Sequence, residues 1–274
     1  MSVFMDLNLT FSPDKNNMQR LIDTAAHLGF STVAVNYTFE PTAKRKQDIP
    51  SPKPINELID QLPIVQGRSG PIRVLNRLTL VMWDLCHFRP NAAEYRTFDL
   101  IAVQPMTEKV FHAACMQLDV DVISLCVTEQ LPFFLKRAPV TGAVERGVVF
   151  EVSYAAAIRD ATMRRYTISN AVSLTETCKG KNVMLSSAAD KPLDLRGPYD
   201  IINLSTLFGL SDADAKSAVS SICRSVLFHA ETRKTASGII WTKKMCGEAS
   251  CHQGALPSSC DVPAAKRSKT QQTD

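Results

Sequence analysis

The sequence predicts an α/β fold, a TIM-barrel-like arrangement of seven parallel strands, and three observations lead there. Short apolar runs alternate with amphipathic stretches of helical period, the pattern of β-α units around a parallel sheet. Seven such runs are followed by a helix or loop, with no clear eighth, whereas a doubly wound sheet usually stops at roughly five or six strands. The 274 residues suit one α/β barrel, and 45% hydrophobic with 21% charged residues supports a sizeable buried core.

The first strand spans residues 3–9. Ser-Pro-Asp follows, with Pro13 suited to open a helix. Met18, Leu21, Ile22, Ala25, Ala26 and Leu28 then recur at helical spacing up to a Gly29 cap. Residues 31–37 form the second strand, and the proline- and charge-rich residues 40–54 predict a long loop. The third strand lies within 72–82, with a break expected near Asn76, and a poorly patterned stretch runs on to Arg96. Residues 98–104 are the fourth strand, whose helix opens at Thr107-Glu108-Lys109. The fifth and sixth strands are 122–127 and 148–154, the sixth leading into one helical region that ends near Lys179-Gly180. The seventh is 182–187. A segment at 198–208 then precedes a helix capped by Ser211-Asp212 and running through Val219, Ile222, Val226 and Leu227. The barrel domain is expected to cover 1–243. Residues 244–274, rich in Gly, Ser, Pro, Cys, Gln and Lys and without periodicity, are expected to be a disordered basic tail.

No apolar run reaches the roughly 18–20 residues that span a bilayer, so no membrane partner is expected. MSVFMDLNLT lacks a basic n-region and carries Asp6 in its apolar stretch, unlike a signal peptide, and the chain reads as soluble and intracellular. The 8 cysteines are scattered, several inside apolar segments, and read as reduced thiols serving as small hydrophobes. The net charge of +4 is mild, but its distribution is uneven. Residues 1–154 hold 15 Lys/Arg against 16 Asp/Glu, residues 155–245 hold 13 against 8, and the rest hold 3 against 3. The basic excess in the second half suits a polyanion or is ordinary solvated surface.

Function in such barrels collects at the carboxyl ends of the strands. Many metal-dependent barrels place His-x-His at the end of the first strand, where two imidazoles hold a divalent ion. Here the same positions are Asp6 and Asn8, and the five histidines are dispersed. After the sixth strand, Arg159, Arg164 and Arg165 lie near a helix start, where free N–H groups and the dipole also favour anions. Guanidinium groups suit bidentate phosphate contacts, and Tyr166 beside them suits stacking on a base. The competing reading pairs these arginines with Glu151 and Asp160. After the seventh strand, Arg196 in Arg-Gly-Pro-Tyr-Asp is a phosphate contact or a salt-bridge partner of Asp194 or Asp200. Lys109 and Arg68 are weaker anion candidates, while Lys179 and Lys181 precede the seventh strand and belong to the opposite face. His229 and Arg233 stand at i and i+4 on one helix, with His229 read as a packed residue. No nucleophile elbow, Walker or Rossmann glycine pattern is present. Cys246, Cys251, His252 and Cys260 match no common zinc-finger spacing. Lys266, Arg267 and Lys269 form a short basic cluster of the nuclear-import kind.

Several long, unusual strings resemble the p30-type protein-subunit family of ribonuclease P and RNase MRP. They are Thr24-Ala-Ala-His-Leu-Gly-Phe30, Leu62-Pro-Ile-Val-Gln-Gly67, Leu118-Asp-Val-Asp121, Thr162-Met-Arg-Arg-Tyr-Thr-Ile-Ser169, Cys178-Lys-Gly-Lys-Asn182, Ser186-Ser-Ala-Ala189, Arg196-Gly-Pro-Tyr-Asp200, Leu207-Phe-Gly-Leu210 and Glu231-Thr-Arg-Lys-Thr235. The resemblance covers about residues 1–240 and implies a seven-stranded barrel related to metal-dependent hydrolase barrels but not known for catalysis. It also implies that the catalyst is RNA, which removes the 5′ leader from precursor tRNA. Implied partners are that catalytic RNA, precursor tRNA through the complex, a small ferredoxin-like subunit and a second copy of the chain. The implied location is the nucleus, including the nucleolus, and no cofactor is implied.

The leading expectation is thus a non-catalytic ribonucleoprotein subunit whose Arg159, Arg164, Arg165, Arg196, Lys109 and Arg68 contact RNA. The alternative is a metal-dependent phosphoesterase acting on nucleic acid, with Asp6, His87, Asp121 and Asp200 as its ligands. A third reading is a protein-only scaffold whose basic face meets an acidic partner.

Overall fold

The computed structural model describes residues 3–41, 49–89 and 92–235. The expected tail, the cysteines at 246, 251 and 260 and the cluster Lys266, Arg267 and Lys269 lie outside the described residues. Seven parallel strands run in sequence order around one sheet. They are β1 (Phe4–Thr10), β2 (Phe30–Phe39), β3 (Arg73–Met82), β4 (Leu100–Pro105), β5 (Val122–Ser124), β6 (Val149–Ser153) and β7 (Val183–Ser186). The helices among the described residues are α1 (Lys15–His27), α2 (Ile55–Leu58), α3 (Glu108–Met116), α4 (Arg137–Glu145), α5 (Ala155–Arg159), α6 (Ala161–Cys178), α7 (Pro198–Ser205), α8 (Asp212–Ala218) and α9 (Ser221–Lys234).

The barrel is nearly closed. β1 and β7 share no continuous ladder and meet beyond the end of β7, where Leu9 bridges Ala189. There the Thr10 N–H donates to the Ala189 carbonyl at 2.9 Å and the Ala188 N–H to that of Asn8 at 2.9 Å. At the amino end no strand of the described residues fills the gap. Instead the Met5 N–H donates to the Val219 carbonyl at 3.0 Å, and α9 packs against β1, β4 and β7.

Alternation along each strand sorts the side chains. Outward residues such as Val33, Val35, Leu78, Leu80, Ile101, Val103, Phe150 and Val152 are buried beneath the helices. Inward residues at the amino end, among them Met5, Leu7, Ala34, Leu75, Leu100, Val122, Val149 and Met184, form a second cluster with Cys223, Val226 and Ala230 of α9. The inner faces alone would leave this apolar layer open to water, and α9 closes it.

Several expected elements are corrected. Asp14, and not Pro13, starts α1, its carboxylate accepting from the Asn16 N–H at 3.0 Å. Gly29 ends the turn after that helix as expected, at a φ of +92° that other residues rarely adopt. β3 has no break at Asn76, which pairs with Val35 in register and whose N–H donates to Asp99 Oδ2 at 2.9 Å. The helical region after β6 is two helices. Asp160 ends α5 in extended backbone and caps α6, accepting from the Thr162 and Met163 N–H groups at 2.8 Å each. The expected helix from Ser211 to Leu227 is also two, because the Val219 carbonyl turns away to the Met5 N–H.

Candidate functional site

Two residues further along β2, β3, β6 and β7 from the apolar layer, the inward side chains become polar, at Asn36, Arg77, Glu151 and Ser186. Arg77 of β3 and Glu151 of β6 are both completely buried and form a two-pronged ion pair, Nη1 to Oε1 at 2.6 Å and Nη2 to Oε2 at 2.5 Å. The remaining donors and acceptors are answered. Arg77 Nη1 also donates to the Leu7 carbonyl at 2.8 Å and Nε to Thr79 Oγ1 at 3.2 Å. Glu151 Oε1 accepts from Asn8 Nδ2 at 3.1 Å and Ser186 Oγ at 2.7 Å. Asn36 donates to Asn8 Oδ1 at 2.9 Å and accepts from Thr79 at 2.7 Å, closing the ring. Burial alone would raise the Glu151 carboxyl, but the Arg77 charge and these hydrogen bonds hold it below the usual carboxylate range. A charged pair this deep costs heavy desolvation, which only such complete pairing offsets.

Asp6 borders this ring at the β1–β7 seam. Its Oδ1 accepts from the Asn8 and Ser187 N–H groups at 3.2 Å each, while its buried Oδ2 has no partner among the described residues. Burial, reinforced by the nearby Glu151 charge, pushes its carboxyl up to about 6 against hydrogen bonds that pull it down.

The arginines expected at the carboxyl ends occupy that rim, each differently. Arg159 at the end of α5 pairs with Asp190 at 3.1 Å and Asp194 at 3.4 Å, not with Glu151 or Asp160. Arg164 folds back on α5, donating to the carbonyls of Ala157 at 2.7 Å and Ile158 at 3.2 Å. Arg196 donates to the Leu193 and Leu195 carbonyls at 2.7 and 2.8 Å, and neither Asp194 nor Asp200 is its partner. Residues 161–166 of α6 are all exposed, so its first turns stand clear of the barrel. Arg165 lies there, exposed and without a partner among the described residues, beside Tyr166 at 40% exposure. Lys109, in the first turn of α3, is likewise exposed on this rim. Arg68 is separate, because it precedes β3 and so sits at the amino end.

The ligands of the alternative reading are dispersed. Asp6 lies inside the barrel, His87 in a turn after β3, and Asp200 exposed in the first turn of α7. Asp121 stands at the amino end before β5, where its buried carboxylate holds α9. It accepts from Arg233 Nη2 at 2.9 Å, bonds His229 Nδ1 at 2.9 Å and caps the Ile101 N–H at 2.8 Å. Among the described residues no three His, Cys, Asp or Glu side chains are grouped to hold a metal ion.

Sequence reasoning missed Arg77. The available signal was a lone arginine on the inward face of an apolar strand, Val-Leu-Asn-Arg-Leu-Thr-Leu-Val, with a lone glutamate in Val-Phe-Glu-Val three strands away. It likewise missed Asp121 as the anchor of α9.

A family model described as RNase P subunit p30 matches residues 3–235. The Mus musculus "Ribonuclease P protein subunit p30" is 52% identical over 260 residues, covering 94% of this chain and 97% of the mouse protein. The Schizosaccharomyces pombe "Probable ribonuclease P protein subunit 3" is 31% identical over 235 residues, covering 85% of this chain and 95% of that protein. In three dimensions the chain is similar to one in a cryo-EM structure of archaeal ribonuclease P with mature tRNA. The TM-score is 0.60 at 13% identity, over 88% of this chain and 100% of the other, which is a likeness of fold. Seven strands closing into a barrel, a family match across all of them and two relatives covered almost end to end lead to one conclusion: this chain belongs to the RNase P subunit p30 family.

Proposed function

We propose that this chain is a protein subunit of ribonuclease P and RNase MRP that does not cut RNA by itself. On this reading it holds and shapes the catalytic RNA for 5′-leader removal from precursor tRNA. The observation that carries the non-catalytic part is the Arg77–Glu151 pair, which fills the centre of the barrel with a built-in cation already neutralised by its own carboxylate. A divalent ion at that depth would face a guanidinium instead of a set of free oxygen or imidazole ligands.

The RNA-facing surface in this proposal is the carboxyl rim. Arg165 and Lys109 offer side chains with no competing partner among the described residues, and Arg159, Arg164 and Arg196 add donors already fixed in place. Trp83 at 52% exposure, Phe134 at 87% and Tyr166 stand on the same rim and suit stacking on unpaired bases. Backbone contacts of this kind give affinity with steep salt dependence and little sequence preference. The finer parts of the proposal are a small ferredoxin-like protein partner, a second copy in the particle, a role in rRNA processing and residence in the nucleus and nucleolus.

The test is purification of the tagged chain from nuclear extract, with the eluate assayed for precursor-tRNA leader removal before and after micrococcal nuclease. Activity that co-purifies and vanishes with the RNA is the expected result. Activity that survives digestion, or phosphodiesterase turnover by metal-reloaded protein alone, would return the barrel to the phosphoesterase reading.

A further inference from the structure

Trp83 is the first residue past β3, and hydrogen bonds hold it from both sides. Its indole Nε1 donates at 3.0 Å to Oε1 of Glu40, the first residue past β2. Its carbonyl accepts at 3.4 Å from Thr107 Oγ1, the hydroxyl that also caps α3 by accepting from the Val110 N–H at 3.4 Å. The residue is thus tied to the loops that follow β2 and β4, yet it stays half exposed. Burial does not hold this ring; its polar contacts do. A fixed, half-exposed indole suits contact with another flat ring, because little side-chain freedom is left to lose when the two meet.

The next loops follow in strand order around the rim. Lys109, after β4, is exposed and has no partner among the described residues. Phe134, after β5, is exposed, and Arg165 with Tyr166 follows β6. Lys136 pairs with Glu108 at 2.6 Å, which ties the Phe134 loop to α3 and neutralises the acid beside Lys109. Aromatic and cationic side chains therefore alternate over the loops of four successive strands. We propose that this arc is a track for a single strand of RNA, with Trp83 stacking on an unpaired base and Lys109 meeting the adjoining phosphate. A duplex keeps its base faces inside its own stack and offers the arc only backbone, whereas an unpaired strand offers both. The Glu40 carboxylate at the indole N–H, and that of Asp84, which accepts from the Leu85 N–H at 2.6 Å, repel a phosphate on their side, so the backbone runs on the α3 side. This inference rests on the RNA-facing rim proposed above and adds which form of RNA the rim takes and where one base sits.

The chain has 2 tryptophans, so Trp241→Phe leaves Trp83 as the sole indole reporter. The full chain with that change is titrated with a short unstructured RNA and with a blunt RNA duplex at equal phosphate concentration, and indole emission is followed. The expected result is saturable quenching by the single strand and little by the duplex. In binding measurements with the same single strand, Trp83→Ala is expected to lose about tenfold in affinity with its salt slope unchanged, because stacking releases no counterions. Lys109→Ala instead lowers the slope by about one. Trp83→Phe keeps a stacking ring and most of the affinity, and Glu40→Ala weakens binding where Glu40→Gln, which keeps an acceptor for the indole, restores it. The quenching needs no change at the ring, so it decides the matter even if Trp83→Ala fails to fold. RNA binding without quenching, equal quenching by the duplex, or a folded Trp83→Ala of unchanged affinity overturns the single-strand track and leaves the RNA-facing rim standing. No binding to either RNA overturns both.

Discussion

At the scale of single residues, Arg77 and Glu151 decide what the barrel interior is. Each would be intolerable alone at that depth, and the two prongs with four further hydrogen bonds make them tolerable together. Arg77→Leu strands the Glu151 carboxylate and is expected to destabilise the protein by about 3–5 kcal/mol. Adding Glu151→Gln, which keeps acceptors for Asn8 and Ser186 without the charge, should recover part of that loss in a chemical-denaturation cycle. Additive losses would mean the two groups are not coupled. Asp6 carries the opposite electrostatics. Its folded value of about 6 exceeds the ordinary 3.8, so the folded protein holds that proton more tightly than the unfolded chain. The resulting stability is fully present below the ordinary value and is lost as pH rises through 6, a change on the order of 3 kcal/mol. Asp6→Asn removes the titration, so its melting temperature should gain on the wild type as pH rises from 5 to 7.5. Parallel melting curves across that window would refute the assignment.

At the scale of elements, α9 does the work of a missing strand. Its apolar face, Cys223, Val226 and Ala230, seals the inner layer, and His229 and Arg233 clamp onto Asp121 from the same helix. Phe228 is 64% exposed, which shows that the helix presents its hydrophobic residues on two sides while burying only one. Asp121→Asn keeps the shape but removes the charge that Arg233, itself 9% exposed, depends on. Hydrogen exchange should accelerate in α9 well before it does in α1, with a stability loss of about 3 kcal/mol. Uniform acceleration across the barrel would mean that α9 is not a separate unit. The break between α5 and α6 is a second element-scale device. Asp160 caps one helix while Arg164 satisfies the carbonyls that end the other, so Arg164→Ala is expected to lower the melting temperature.

At the scale of the whole molecule, the proposed RNA association depends on which charges are left over after folding. Arg165 and Lys109 are left over, while Arg159, Arg164 and Arg196 are partly committed to the fold. Arg165→Ala with Lys109→Ala should therefore reduce the salt slope of RNA association by about two without moving the melting temperature. An unchanged slope would place the RNA elsewhere.

Much of this was legible in the chain order. Period-two apolar runs followed by helical periodicity mark seven strands because each element must bury one face, a local requirement written within a dozen or so residues. The lack of an eighth run, the Gly29 turn and the family strings were equally local. The partners of charged residues were not. Arg77 meets Glu151 across 74 positions and Asp121 meets Arg233 across 112, distances over which composition carries no information about who faces whom. The sequence by itself determined the barrel and the family, since both rest on patterns that repeat or persist along the chain. Only the tertiary structure decided that an ion pair fills the centre, that a helix closes the amino end and that Arg165 and Lys109 find no partner among the described residues of the rim. Those are outcomes of closure, which brings remote strands to within hydrogen-bonding distance and leaves each charge either paired in the interior or exposed to water.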